Sequence, residues 1–287
     1  MIFMRKVLYF FLLISTLFSF KTKKPVYVLY NSKGNKVSFK KMVSQLKGQN
    51  IVLFGELHNN PIAHWLEMEI TQELRRFKHL TLGGEMFESD NQKALDLYLQ
   101  DSISIQGLDS LARLWSNFYT DYKPLVDYAK KHQLNFIATN IPGRFASAVY
   151  KQGGFMALDS LSEREKSWVA PLPIAFDPNL PNYQAILKMM GKHGSPNIVK
   201  AQASRDATMA HFILKNYSKD HLFLHFNGAY HSNNYEGIVW YIKNQNSELK
   251  LGTISTVCQN NINKLEETNR GLADFIIVVD EDVTTSY

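Results

Sequence analysis

The feature that most constrains this chain is an apolar strand pattern that runs into Gly-x-x-His and occurs twice. The apolar run 51–54 is followed by Gly-Glu-Leu-His, and the run 222–226 is followed by Asn and then Gly-Ala-Tyr-His. Ligand sites in open α/β sheets lie beyond the carboxyl ends of the strands, where glycine permits unusual dihedral angles and close approach of a ligand. The repeat therefore predicts that His58 and His231 share one crevice.

A third apolar run, 80–82, leads into Gly83-Gly84 and then Glu85. We therefore predict a catalytic set made of Glu56, His58, Glu85 and His231. Imidazole and carboxylate groups suit Mn, Fe, Co or Zn, so His58, Glu85 and His231 are the predicted ligands of a divalent metal. The same groups could also work without metal, with a histidine as general base and a carboxylate that orients it.

Apolar strand patterns alternate with helical patterns along the whole chain, which indicates an α/β fold. We predict a three-layer sandwich with a mixed, largely parallel central sheet and a helical cap. Residues 21–287 form a single predicted domain, in which the Pro-, Gly- and Met-rich segment 171–196 is an irregular, lid-like insert. The polar tail 281–287 is expected to be frayed. The predicted strands are 25–30, 51–54, 80–82, 134–138, 221–226, 249–257 and 275–279, and the predicted helices are 39–47, 61–77, 91–99, 107–117, 124–132, 144–151, 197–215 and 235–243.

The N-terminus has the pattern of a targeting segment. Arg5 and Lys6 precede 14 uncharged residues, 7–20, and Lys21 follows them. This order is typical of a secretory signal, and the apolar run is shorter than the ~20 residues of a spanning helix. Residues 1–20 are therefore predicted to be a signal peptide or, because the cleavage site is poor, an uncleaved membrane anchor. The mature chain is expected to be exported, to a periplasm.

Charge and cysteine content exclude several classes. The chain has 32 Lys and Arg against 26 Asp and Glu, a net charge of +6, but no basic stripe interleaved with aromatic residues, so no nucleic-acid partner is predicted. A single cysteine, Cys258, rules out an intramolecular disulfide framework and Cys-rich metal sites. Because Cys258 lies in an apolar run, we expect it to be buried in a strand.

Two arginines are candidate anion-binding residues. Arg144 follows the predicted strand 134–138 and is expected to project from a strand end. Arg205 lies in the predicted helix 197–215, where it either forms a salt bridge on that helix or clamps a carboxylate or propionate, since guanidinium binds such groups in a bidentate manner.

Several short blocks occur in a characteristic order over about residues 48–245. They are Gly55-Glu56-Leu57-His58 with Asn60-Pro61; Gly84-Glu85-Met86-Phe87-Glu88 with Gln92 and Ala94-Leu95; Trp115 with Tyr122 and Pro124-Leu125; Asn140-Ile141-Pro142; Gln202 with Arg205-Asp206 and Met209-Ala210; and Gly228-Ala229-Tyr230-His231 with Gly237-Ile238. The ordered set resembles the ChaN family of haem-binding uptake proteins, within the wider Tiki/TraB and erythromycin-esterase-like superfamily.

The resemblance implies an exported protein that binds haem in iron uptake. Haem in this family is held through tyrosine between two subunits, which implies a haem-bridged homodimer and outer-membrane haem-uptake machinery as partners. Tyr122 and Tyr230 lie in the matching blocks and are the candidate tyrosines, with Arg144 and Arg205 as further haem-binding candidates. Family members are often lipoproteins, but no cysteine follows the apolar run here.

The relatives also imply a second function. Tiki-like members look like metal-dependent proteases that use the paired Gly-x-x-His histidines and a glutamate, and the erythromycin-esterase-like members look like hydrolases. The alternative to haem uptake is therefore a metal-dependent hydrolase centred on the Glu/His cluster. A non-catalytic interaction module on a retained enzyme fold is the third hypothesis.

Overall fold

The computed structural model describes residues 24–191 and 195–287. The predicted signal or anchor segment, 1–20, lies outside these residues. The strands are β1 (Tyr27–Asn31), β2 (Ile51–Glu56), β3 (His79–Glu88), β4 (Asn135–Asn140), β5 (His221–Gly228), β6 (Leu251–Gln259) and β7 (Phe275–Asp280). The α-helices are α1 (Phe39–Leu46), α2 (Pro61–Arg75), α3 (Gln92–Leu99), α4 (Ile105–Leu111), α5 (Lys123–Lys131), α6 (Gly143–Lys151), α7 (Glu163–Lys166), α8 (Pro181–Met190), α9 (Pro196–Asn216) and α10 (Ile238–Gln245).

Within the described residues, the strands form one seven-stranded sheet in the order β1-β7-β6-β2-β5-β3-β4. β1 runs antiparallel to β7, and every other pair of neighbours is parallel. This arrangement confirms the predicted α/β class with a mixed, largely parallel sheet. It places β5 between β2 and β3, so the carboxyl ends of these three strands are adjacent.

Both faces of the sheet are covered. Alternate side chains of β2 enter two different hydrophobic cores: Val52 and Phe54 lie in one, and Ile51 and Leu53 lie in the other. Helices α1, α2, α3 and α5 contribute to the first core, and α6, α9 and α10 contribute to the second. Strands that are buried on both faces have continuous apolar sequences, which is why the short runs in the sequence identified them.

Strand β3 is longer than its sequence pattern predicts. The pair Gly83-Gly84 was expected to end the strand, but β3 continues to Glu88. A Cβ atom on Gly83 would lie 2.7 Å from Cε1 of Phe223. The glycine is therefore required by close packing inside the sheet rather than by a turn, and Glu85 lies within the strand.

Two predicted helices differ most from the structure in their bounds. The sequence predicted a helix over 107–117, but helix α4 ends at Leu111, because Ala112 is extended, with φ −115° and ψ 154°. A π-helical turn, Phe118–Tyr122, comes next along the chain. Helix α10 begins at Ile238 rather than at residue 235, because Gly237 has a φ of +53° and separates it from a 3₁₀ turn.

The insert, the C-terminal tail and Cys258 can also be compared with the sequence-based expectations. The lid-like insert contains helix α8, whose Tyr183 packs against Val199 of α9. The tail is docked rather than frayed at Ser286, whose backbone N–H donates to the Asn59 carbonyl at 2.9 Å. Cys258 lies in β6 as expected, but it is exposed, although the next residue, Gln259, is buried. None of the described helices has both the length and the apolar character needed to cross a bilayer.

Candidate functional site

Parallel pairing brings the predicted site residues together. Glu56, the last residue of β2, is in register with Gly228, the last residue of β5. His58 follows β2 by two residues, and His231 ends the 3₁₀ turn that follows β5. Glu85 of β3 accepts a hydrogen bond from the Gly228 N–H at 2.7 Å through Oε2. The structure therefore places all four residues at one edge of the sheet.

His231 lies between two buried carboxylates. Its Nδ1 contacts Asp206 Oδ1 at 2.5 Å, and its Nε2 lies 3.2 Å from Glu85 Oε1. Asp206 Oδ2 also accepts a hydrogen bond from the Tyr183 hydroxyl at 2.8 Å. Burial lowers the pKa of His231, but the charges of Glu85 and Asp206 outweigh burial and raise that pKa to about 10. The imidazole is therefore a cation at neutral pH.

The same contact stabilises the charged form of Glu85. Burial raises the pKa of Glu85, but the positive charge and hydrogen bond of His231, together with His58 and the Gly228 N–H, hold it well below its usual range. Asp206 and Tyr183 lie on helices α9 and α8. Sequence reasoning had not assigned either residue to the site, although Asp206 lies in one of the recognised blocks.

Gly228 separates the two halves of the site. A Cβ atom at this position would lie 2.8 Å from His58 Nε2 and 3.5 Å from Glu85 Oε2. Glycine is needed here so that His58 can approach the backbone closely. The His58 side chain remains 38% exposed, whereas those of Glu56, Glu85 and His231 are at most 8% exposed. Of the four predicted catalytic groups, His58 is thus the one that solvent reaches.

The buried Glu56 side chain orients the His58 ring. Its Oε1 lies 2.7 Å from His58 Nδ1 and accepts a hydrogen bond from the Tyr122 hydroxyl, also at 2.7 Å. Burial and the nearby carboxylates Glu56 and Glu67 hold the pKa of Tyr122 far above its usual range. Tyr122 therefore stays protonated and acts as a donor to Glu56. Because Tyr122 is fully buried, it has no surface on which a large ligand could rest.

Behind Glu56 lies a second group, formed with His64 and Glu67 of helix α2. His64 Nδ1 is 3.2 Å from Glu56 Oε2 and 3.1 Å from Glu67 Oε2. Burial and the mutual repulsion of the two carboxylates raise the pKa of Glu56 to about 8, and burial raises that of Glu67 to about 8. The sequence analysis did not assign Glu67 to the site, although its i, i+3 spacing from His64 places both side chains on one face of a helix.

The predicted metal trio does not form a compact ligand set. Among the described residues, the group whose ligand atoms all lie within 4.8 Å of one another is Glu56, His64 and Glu67, and not His58, Glu85 and His231. Both oxygens of Glu85 are also engaged, one by His231 and one by the Gly228 N–H.

The other predicted binding residues lie nearer the surface. Arg144 is the second residue of α6 rather than a free side chain at a strand end, and its Nη1 donates to Asp90 at 2.7 Å. Arg205 donates to the Asn140 side chain at 3.3 Å, and no described carboxylate lies within 4.0 Å of it. Tyr230 lies on the turn between β5 and His231 and is 52% exposed.

The site therefore has two layers. At the surface, the exposed His58 imidazole is held by a buried carboxylate, the arrangement of an oriented general base. Beneath it, buried acidic and imidazole groups lie close enough to share protons or a cation. Tyr230 and Arg205 add an exposed phenol and a guanidinium without a carboxylate partner at the same edge of the sheet.

Comparison with known proteins identifies the family. A family model described as haem-binding uptake, Tiki superfamily, ChaN, matches residues 42–242. Among solved structures, ChaN of Campylobacter jejuni, described as binding haem cofacially, superposes with a TM-score of 0.66 at 16% identity, over 88% of this chain and 96% of that one. This similarity establishes a shared fold.

Two other structures superpose with lower scores. A Bacillus cereus protein gives a TM-score of 0.47 at 9% identity, over 85% of this chain and 98% of that one. A mutant of the erythromycin esterase EreC in its open conformation gives 0.45 at 11% identity, over 89% and 83%. No curated protein matches the chain. Because the family model covers well over half of the sequence, the chain belongs to the ChaN family of haem-binding uptake proteins in the Tiki superfamily.

Proposed function

We propose that this chain binds haem for uptake at the carboxyl end of β5, with the Tyr230 hydroxyl as the ligand of the haem iron. The family match supports haem as the ligand. The observation that carries the assignment to Tyr230 is its position: the side chain is 52% exposed and directly precedes the buried His231. Tyrosine oxygen is an established axial ligand of haem iron.

Three other tyrosines are less suitable. Tyr122 is fully buried and donates to Glu56. The hydroxyls of the exposed Tyr119 and Tyr235 are bound to Asp109 and Asp274. The hydroxyl of Tyr230, in contrast, makes no hydrogen bond to a described residue, so an iron ion can reach it without displacing a partner.

Arg205 is the proposed partner of a haem propionate. It lies in α9 next to Asp206, which contacts His231. Its guanidinium has no carboxylate within 4.0 Å among the described residues, whereas Arg144 is already paired with Asp90 and lies over the rings of Phe145 and Trp168. A guanidinium that lacks an anionic partner can bind a propionate in a bidentate manner.

Haemin titration of the full chain, followed by the Soret band, tests the proposal. We expect saturable binding that weakens at least tenfold in Tyr230→Phe, with loss of the charge-transfer absorption of a phenolate–iron bond. Tyr235→Phe is the matched control, because that tyrosine is also exposed but its hydroxyl is occupied. Equal affinity and equal spectra in the two variants would contradict the role of Tyr230, and no saturable binding in wild type would contradict haem uptake.

Two parts of the proposal concern the cell and the assembly. The signal-like segment 1–20 supports export to a periplasm, and a haem-bridged homodimer that delivers haem to or from outer-membrane uptake machinery is what the sequence resemblance implies. Fractionation of bacterial cells that express the full chain tests export. Light scattering with and without haemin tests the dimer, and a mass that stays monomeric at saturating haemin would contradict it.

A second candidate function, hydrolysis, is favoured by the His58–Glu56 pair. Glu56 Oε1 lies 2.7 Å from His58 Nδ1, which leaves Nε2, beside Gly228, as the imidazole nitrogen that can accept a proton. His58 would act as general base on a water that attacks an ester or amide. Turnover on ester and peptide panels should fall at least a hundredfold in His58→Ala and stay unchanged in His79→Ala. Equal turnover in both variants would remove this function.

A further inference from the structure

Behind the surface site lies the buried group of Glu56, His64 and Glu67. Its hydrogen-bond network is incomplete. His64 Nε2 lies 3.0 Å from the backbone carbonyl oxygen of His58. A carbonyl oxygen only accepts, so Nε2 carries a proton. In the neutral imidazole, Nδ1 then carries no proton, and its lone pair faces the carboxylate oxygens of Glu56 and Glu67, which lie 3.2 and 3.1 Å from Nδ1.

Protonation of His64 does not complete the network. A proton on Nδ1 satisfies Glu67 Oε2, the oxygen with hydrogen-bond geometry toward it. Glu56 Oε2 and Glu67 Oε1 are buried and still have no donor among the described residues. Buried carboxylate oxygens without a partner are costly, so the cluster needs one more positive group, either a proton on one of the two carboxyl groups or a cation.

Glu56 cannot turn its Oε2 atom toward another donor. Glu56 Oε1 is fixed by His58 and by the Tyr122 hydroxyl, both at 2.7 Å, which turns Oε2 toward His64. The hydrogen bond from His64 Nε2 to the His58 carbonyl fixes the ring in the same way. Metal ligands are typically held by such outer hydrogen bonds, which fix the tautomer and the ring orientation.

We propose that Glu56, His64 and Glu67 form a buried site for a divalent first-row transition metal. The metal would be coordinated by His64 Nδ1 and by one oxygen from each carboxylate. Bonds of about 2.0–2.2 Å to a Zn²⁺-type ion keep neighbouring ligand atoms on the order of 3.0–3.5 Å apart, and the observed separations from Nδ1 are 3.2 and 3.1 Å. Two carboxylates balance the charge of the ion and suit Mn, and the imidazole favours Fe or Zn over Mg or Ca.

This site differs from the metal site predicted from the sequence and is independent of haem. It lies beneath His58, and its cation would set the position and charge of Glu56, the residue that orients His58. Asp121 lies next to the cluster, 3.8 Å from His64 Nε2, but its Oδ2 already accepts from the side chains of Asn117 and Ser286. It therefore belongs to the surroundings rather than to the ligand set.

Metal retention tests the site. The full chain is treated with a chelator, incubated separately with Zn²⁺, Mn²⁺ or Mg²⁺, dialysed, and measured by elemental analysis and by thermal unfolding. We expect about one equivalent of Zn²⁺ or Mn²⁺ to be retained, with a higher unfolding temperature, and no retention of Mg²⁺. Glu67→Gln should reduce retention at least tenfold. Glu69→Gln, two residues further along α2, is the matched control and should bind as wild type.

Other outcomes overturn the proposal. If wild type retains no metal and its unfolding temperature does not change, the cluster is held by protons alone. If metal is retained equally by Glu67→Gln but lost in His231→Gln, the ion lies at the other end of the site. Haemin titration of Glu67→Gln keeps the two proposals separate, because loss of metal with unchanged haem affinity supports this site whatever the outcome at Tyr230. Circular dichroism of each variant establishes that it folds.

Discussion

The Nε2 atom of His231 lies 3.2 Å from Glu85 Oε1, and this contact joins the end of β5 to β3 across the edge of the sheet. On its other side, the same imidazole contacts Asp206 of helix α9. One charged ring thus connects two strands and a helix that are distant in sequence. Breaking a buried ion pair leaves an uncompensated charge and is strongly destabilising, so this histidine should make stability depend on pH in alkaline solution.

His231 should give the protein a loss of stability in alkaline solution. Its pKa in the folded state, about 10, lies above its unfolded value of about 6.5. The contribution is therefore complete below pH 6.5 and is lost as the pH rises toward 10. The free energy of unfolding should fall by up to about 1.4 kcal/mol per pH unit in this window. Urea unfolding between pH 8.5 and 10 measures this slope, which should be absent in His231→Gln.

NMR gives an independent check of the same prediction. The ring protons of His231 should titrate near pH 10 in wild type and at a lower pH in Asp206→Asn, which removes one of the two negative charges. Asp206→Asn should also shift the alkaline loss of stability to lower pH. A titration of His231 near pH 6.5 in wild type would show that the ring is not held between charged carboxylates.

Gly237 should be much less tolerant of alanine than another glycine with a positive φ. Its φ is +53°, and a Cβ atom would lie 2.4 Å from the backbone oxygen of His231. Gly271 has a φ of +77°, but no atom lies within 4 Å of a Cβ built there. We expect Gly271→Ala to cost about 1 kcal/mol of unfolding free energy and Gly237→Ala about 3 kcal/mol, from strain and overpacking together. Equal costs in denaturant unfolding would contradict this account.

The sequence predicted the strands and the shared edge because both depend on local patterns. Short apolar runs mark strands that are buried on both faces, and parallel pairing then places their carboxyl ends side by side. Glu56, His58, Glu85 and His231 were found for this reason. Glycine was more ambiguous: the same residue type marks a turn at Gly237 and close packing inside β3 at Gly83, and spacing alone does not distinguish the two.

The residues that the sequence missed reach the site from helices. Glu67 and Tyr183 lie on α2 and α8, and their direction depends on how these helices pack on the sheet, which is a tertiary property. Tyr122 was identified in a matching block, but its burial follows from a π-helical turn that periodicity does not predict. Arg144 pairs with Asp90 from another element, a contact that no local pattern encodes.

Removal of the Tyr183 hydroxyl should cost more than removal of a comparable buried hydroxyl. Tyr183 donates to the carboxylate of Asp206 at 2.8 Å, whereas Tyr30 donates to the neutral carbonyl of Ile262 at 2.6 Å. Hydrogen bonds to charged groups are worth about 1.5–3 kcal/mol, and neutral ones about 0.5–1.5 kcal/mol. We therefore expect Tyr183→Phe to destabilise the chain more than Tyr30→Phe in urea unfolding at pH 7. The reverse order would indicate that Asp206 obtains another donor when Tyr183 is lost.

Cys258 should react with thiol reagents in the folded protein. It is exposed in β6, with the Asn60 side chain 3.7 Å from its sulfur. Partial burial raises the pKa of its thiol, so less thiolate is present at pH 8 and the reaction should be slower than that of free cysteine. Ellman's reagent should nevertheless label one thiol per chain without denaturant and none in Cys258→Ser. Labelling that begins only in urea would mean that the thiol is buried, as its apolar sequence context predicted.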